Sequence, residues 1–137
     1  MKKSTKITKG GEKTKTKIIV PLENDNGLNA QLAQHFGRAP FYAVVSLDEK
    51  GDITSIETVR NEGEHFGGAG HMHDHILKLK PNAIITHGLG PRGLNSFQSM
   101  GIAVLKANSD TLKEVIDAYK SGVLQEITEG CLHAHHH

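Results

Sequence analysis

Residues 81–105, PNAIITHGLGPRGLNSFQSMGIAVL, decide the fold. Pro81 ends whatever helix precedes it, because the residue before a proline is driven out of the helical region. Ala83-Ile-Ile-Thr86 is a strand of continuous apolar character. Gly88-Leu-Gly-Pro-Arg-Gly93 is a glycine-rich loop. It feeds a helix over Gly93 to Met100, with Leu94, Phe97 and Met100 on one face. Ile102 to Leu105 is another buried strand. Strands that alternate with helices favour parallel pairing through right-handed crossovers.

Towards the C-terminus, Ser109 or Asp110 caps a helix over Thr111 to Ser121, whose apolar stripe is Leu112, Val115, Ile116 and Tyr119. Gly122 stops it. Towards the N-terminus, Gly70 to Lys80 reads as a helix carrying Met72, Ile76, Leu77 and Leu79. A loop with four glycines, Asn61 to Gly70, leads into it. Before that loop, Asp52 to Arg60 alternates Ile53, Ser55, Glu57, Val59 against Thr54, Ile56, Thr58. It pairs antiparallel with Pro40 to Leu47 through the turn Asp48-Glu-Lys-Gly51. Leu28, Leu32 and His35 stand at helical spacing, which predicts one or two helical turns capped by Gly37. Lys17 to Leu22 is a first strand, ended by Pro21. The whole reads as an α/β fold: a mixed five-stranded sheet with helices on its faces.

The 137 residues suffice for one domain with its own core. Aromatics are 4% and tryptophan is absent, so that core is aliphatic. Between Lys2 and Lys17 stand seven lysines and a single aliphatic residue, Ile7. Such a stretch cannot bury enough apolar surface to offset its ordering entropy. The expected organisation is a flexible basic arm over residues 1–16, one α/β domain over 17–124 and a Cys/His-rich tail over 125–137. A basic arm more often solubilises than binds nucleic acid. No apolar run approaches the ~20 residues of a membrane span, and the start lacks the apolar segment of a secretory signal. With one cysteine no internal disulfide forms, and the expected location is the cytoplasm, where a thiol stays reduced.

Ten histidines and that one cysteine carry the chemistry. His65, His71, His73 and His75 crowd the helix over Gly70 to Lys80 and the loop before it. Cys131, His133, His135, His136 and His137 crowd the C-terminus, where the last three also match the remnant of a purification tag. Imidazole and thiolate are ligands for zinc, copper, iron and metal-sulfur clusters. Residues four apart on a helix share a face, so His71 and His75 can chelate one ion while His73 points elsewhere; in an extended segment all three share a side. His35-Phe-Gly-Arg38 places a planar guanidinium near a histidine and is able to hold an anion. His87-Gly-Leu-Gly90 follows a parallel strand, where the backbone amides of Gly88 and Gly90 can face an anionic ligand. Its spacing matches neither a phosphate-binding loop nor a dinucleotide fingerprint. There is no nucleophile elbow and no acidic cluster for two-metal hydrolysis, so no enzyme activity is expected.

The stretch Asn24 to Val45, NDNGLNAQLAQHFGRAPFYAVV, resembles the opening of the dinitrogenase iron-molybdenum cofactor biosynthesis family. That family includes NifX-like carriers and the C-terminal domain of NifB-like proteins. The segments Ala83 to Met100 and Gly101-Ile102 and the terminal Cys131-x-His133 resemble it as well. The likeness spans about residues 17–133. It implies a ribonuclease H-like fold without nuclease activity, and a small domain that binds or carries a metal-sulfur cluster of Fe-S or Fe-Mo type. From the excess of histidine and cysteine together with that likeness, the expected cofactor-binding residues are His35, Arg38, Gly88 and Gly90, and the expected metal ligands are His71, His73, His75, His87, Cys131 and His133; the 71–75 histidines exceed the family's core pattern. The expected partners are the cluster and the proteins that donate or accept it. The alternative is a buffer or sensor for a divalent ion such as zinc, nickel or copper.

Overall fold

A computed structural model describes residues 16–61 and 69–128, and of residues 69–73 the backbone alone. The arm expected over residues 1–16 lies outside them, save for Thr16. The described strands are β1 (Thr16–Leu22), β2 (Phe41–Leu47), β3 (Ile53–Arg60), β4 (Ala83–Thr86) and β5 (Ala103–Lys106). The helices are α1 (Ala69–Leu79), α2 (Pro91–Ser99) and α3 (Leu112–Ser121). The sheet order is β3-β2-β1-β4-β5. β1 pairs antiparallel with β2, and β2 with β3. β1 pairs parallel with β4, and β4 with β5. This is the ribonuclease H-like mixed sheet that the sequence pattern and the resemblance lead one to expect. None of the described helices is long and apolar enough to cross a membrane.

Side chains of a strand alternate between faces, and both faces of this sheet are buried. On one, Ile18, Val20, Leu22, Ala43, Val45, Leu47, Ala83 and Ile85 form a cluster with Leu112, Val115 and Ile116 of α3. On the other, Ile19, Tyr42, Val44, Ile84 and Val104 meet Ile76 of α1 and Leu94 and Phe97 of α2. Central strands therefore read as apolar runs, while the edge strand β3 is largely exposed and reads as an alternation.

Three local expectations are corrected. Residues 28–35 are not a helix. Gly27–Asn29 forms a single 3-10 turn, and the chain then extends. Ala33 N donates to Pro21 O at 3.0 Å and Glu23 N to Gln31 O at 2.7 Å, pairing Leu22 with Leu32. Leu32 N donates to Asp110 O at 2.8 Å and Leu112 N to Ala30 O at 3.0 Å. The segment is too short to hold a helix by its own hydrogen bonds, and these cross-chain bonds take its amides instead. Pro21 does not end β1, which runs to Leu22. Its carbonyl faces residue 33 beyond the β1–β4 ladder, so the missing N–H falls where β4 no longer pairs. The cap of α3 is Thr111 rather than Ser109 or Asp110. Its side chain accepts from Glu114 N and bonds the Glu114 carboxylate, a reciprocal arrangement like a capping box. Gly122, at φ 73°, ends α3 as expected.

Residues 125–127 run along the open edge of β5. Lys106 N donates to Gln125 O at 2.7 Å and Ile127 N to Val104 O at 2.8 Å, a path leading away from the carboxyl end of that strand.

Candidate functional site

β1, β3, β4 and β5 all point one way, so Leu22, Arg60, Thr86 and Lys106 finish at one rim. Beyond them lie the 23–40 segment, the 87–90 loop and the 107–111 loop. In open α/β sheets ligands collect at this edge. The helices that follow start here too, presenting the positive ends of their backbone dipoles.

The His35–Arg38 segment is fixed from inside. Phe36–Arg38 is a 3-10 turn in which only Phe36 is buried. Its ring lies 5.0 Å from that of Tyr42 and stands edge-on to Phe97 at 5.5 Å. Phe36 N donates to Gly88 O at 2.9 Å. The Tyr42 hydroxyl donates to Phe36 O. Burial pushes the Tyr42 phenol well above its ordinary range, so the group stays a neutral donor. Asn61 holds the far side, with Nδ2 donating to Ala39 O at 2.7 Å and its amide to Pro40 O at 2.8 Å. With Phe36 turned inward, His35, Gly37 and Arg38 are left exposed.

The 87–90 loop is fixed from β4. Thr86 Oγ1 donates to Gly88 O at 3.1 Å and accepts from Gly88 N at 3.3 Å. Thr86 is the buried polar residue of the described core, and these bonds satisfy it. Gly88 is buried and its amide is engaged, whereas Gly90 is exposed and a Cβ there would meet nothing within 4 Å. His87 Nε2 lies 3.0 Å from Asp110 Oδ1, and Lys106 Nζ donates to His87 O at 3.3 Å. Gly90 precedes α2, whose first residue is Pro91 and second Arg92.

One backbone bond, from Phe36 N to Gly88 O, thus joins two loops far apart in sequence. His35 and His87 immediately precede its two ends. His71, His73 and His75 all fall within α1, which packs against the Phe36–Arg38 turn. His75 is exposed. Positions 71 and 75 share a helix face and 73 does not. His65, Cys131, His133, His135, His136 and His137 lie outside the described residues. Among the described residues no three His, Cys, Asp or Glu side chains converge as an ion site. Three residues that sequence reasoning did not assign to the site also stand at the rim: Arg92, Lys106 and Asp110. Arg92 was visible inside the glycine-rich loop. Nothing in the sequence signals that Lys106 and Asp110 meet His87.

The sequence pattern of a known family, described as dinitrogenase iron-molybdenum cofactor, matches residues 16–122. The chain belongs to that family. An uncharacterised protein of Methanocaldococcus jannaschii is 30% identical over 112 residues, which are 80% of this chain and 90% of that protein. The crystal structure of PH0822 superposes with a TM-score of 0.68 at 26% identity, covering 82% of this chain and 97% of the other. The apo form of the orange protein from Desulfovibrio gigas shares the fold, with a TM-score of 0.68 at 23% identity, covering 83% and 94%. The family match ends at Gly122, so it takes in His35, Arg38, the α1 histidines and the 87–90 loop and leaves out Cys131 and His133.

Proposed function

We propose that the protein is a small cytoplasmic carrier or scaffold that binds a metal cluster of iron-sulfur or iron-molybdenum type during cofactor assembly or trafficking. The carrying observation is the Phe36–Gly88 bond, which joins the loop of His35 and Arg38 to the loop of His87 in a member of this family. The cargo is a substrate, held and passed on. Imidazole nitrogens of His35 and His87 supply ligands, joined by the α1 histidines His71, His73 and His75 and by Cys131 and His133 of the tail. Arg38, with the exposed Gly90 amide and the amino ends of the helices, offsets the negative charge of a metal-sulfur cluster. Few ligands on separate loops suit a protein that must release what it binds. A closed four-ligand cage suits permanent retention. Proteins that supply or receive the cluster are the partners.

Anaerobic reconstitution with ferrous iron and sulfide, followed by absorbance, tests this reading. Stoichiometric uptake that falls in His35→Ala and in Cys131→Ala is expected. No uptake, or uptake that neither substitution changes, refutes it. A stoichiometric zinc, nickel or copper ion without sulfide would instead establish the divalent-ion alternative, for which the i, i+4 pair of positions 71 and 75 in α1 is the supporting feature.

A further inference from the structure

We infer that Asp110 is a positioning residue for the cargo site: it holds the His87 ring with the proton on Nε2 and so leaves the lone pair of Nδ1 for a metal. This rests on the carrier reading above. The side chain of His87 is only 19% exposed, and its Nε2 lies 3.0 Å from Asp110 Oδ1. An ionised carboxylate only accepts, so the nitrogen facing it must carry hydrogen. In a neutral imidazole the other nitrogen is then the unprotonated one. No hydrogen bond or ion pair to Nδ1 is found among the described residues. Histidine-ligated metal sites use this arrangement: a ligating histidine donates its second ring N–H to a carboxylate, which fixes tautomer and orientation and raises ligand basicity.

Asp110 is held in place independently of its side chain. Its carbonyl accepts from Leu32 N at 2.8 Å, and the neighbouring Gln31 and Thr111 form a bridge. The segment that leads into His35 therefore grips the residue that orients His87. Two candidate ligands on separate loops are tied through one aspartate, and a shift of either loop would disturb both.

Two readouts test the inference. The first needs no cargo: long-range 15N–1H spectra of the His87 ring at about pH 8, where free imidazole is neutral. The wild-type protein should show the Nε2–H tautomer. Asp110→Ala should raise the Nδ1–H form. Asp110→Asn should also raise it, because its amide can turn to donate to Nε2 where the carboxylate only accepts. The second readout is iron-sulfide uptake, expected to weaken about tenfold or more in Asp110→Ala and to weaken also in Asp110→Asn, whose amide does not fix the ring. Urea unfolding of the unloaded protein should move little, since the Asp110 side chain is 70% exposed. A wild-type tautomer balance in Asp110→Ala overturns the inference. So does unchanged uptake in that variant when His35→Ala weakens uptake, and this outcome leaves the carrier reading standing. Unchanged uptake in His87→Ala removes the ligand on which Asp110 acts. Failure of the wild-type protein to take up any cluster overturns the carrier reading and the ligand half of the inference together, whereas the tautomer result still decides whether Asp110 sets the ring.

Discussion

Tyr42→Phe should destabilise the protein at neutral pH and stabilise it in alkali. Tyr42 is 2% exposed, and its hydroxyl donates to Phe36 O. Removing the hydroxyl leaves a buried carbonyl without that donor, a loss of about 1–2 kcal/mol. The ionisation of the same phenol acts with the opposite sign. Burial raises its folded pKa above the ordinary value near 10, and desolvation is the cause. A group with a raised folded pKa stabilises fully below the unfolded pKa and loses that contribution as pH climbs past it. Above pH 10 the wild-type protein should therefore lose up to ~1.4 kcal/mol per pH unit from this group, while the phenylalanine variant does not. The gap of ~1–2 kcal/mol should close at about pH 11 and then reverse. Urea unfolding of both proteins at intervals from neutral pH to about pH 11.5 measures it, with the difference between them cancelling the lysines and the other tyrosine. A gap that stays constant across that range would refute the account of Tyr42 as a desolvated donor. Amide exchange adds a local check: Phe36 and Arg38 should lose protection in the variant before β1 or β4 does, because the hydroxyl holds the turn rather than the sheet.

Further outcomes follow from single features. Gly122→Ala forces a side chain into φ 73° with nothing within 4 Å to clash or to help; thermal unfolding should show a loss of about 1 kcal/mol, roughly 4 °C. Thr111→Ala removes the α3 cap, and urea titration should give a loss of about 1 kcal/mol with an unchanged slope. Phe97→Ala empties a site that is 0% exposed and removes the edge-on partner of Phe36. A loss of ~3–5 kcal/mol is expected by the same titration. Asp48 accepts from the amides of Lys50 and Asp52, both at 2.9 Å, and chiefly the Asp52 bond draws its carboxyl below the usual range. Its contribution is present above the ordinary carboxylate pKa and lost as pH falls through the lowered one, so Asp48→Asn should flatten part of the acid unfolding curve.

The sheet was legible in the sequence because burial on two faces writes itself as apolar runs. Ala83–Thr86 and the Asp48–Gly51 hairpin needed only local pattern and turn chemistry. The 28–35 error came from the same rule applied to a segment it does not govern. Leu28 and Leu32 stand four apart because both reach one core cluster, not because a helix lies between them. The site is legible as residue types: His35, Arg38 and His87 stand out in the sequence, and the fold sets them on two adjoining loops. What sequence could not supply were pairings across distance, such as Phe36 with Gly88 or His87 with Asp110, 23 residues apart. Those depend on strand order and direction, which no local window contains.

Two rim loops join an inward anchor to exposed neighbours: Phe36 beside His35, Gly37 and Arg38, and Leu89 beside Gly90. The outward positions add little to the cores, so the tolerance of the scaffold to change there is high and its tolerance at the anchors low. A lineage built on such a frame is free to change what its rim binds by redrawing a few exposed side chains, with no need to rediscover how to fold.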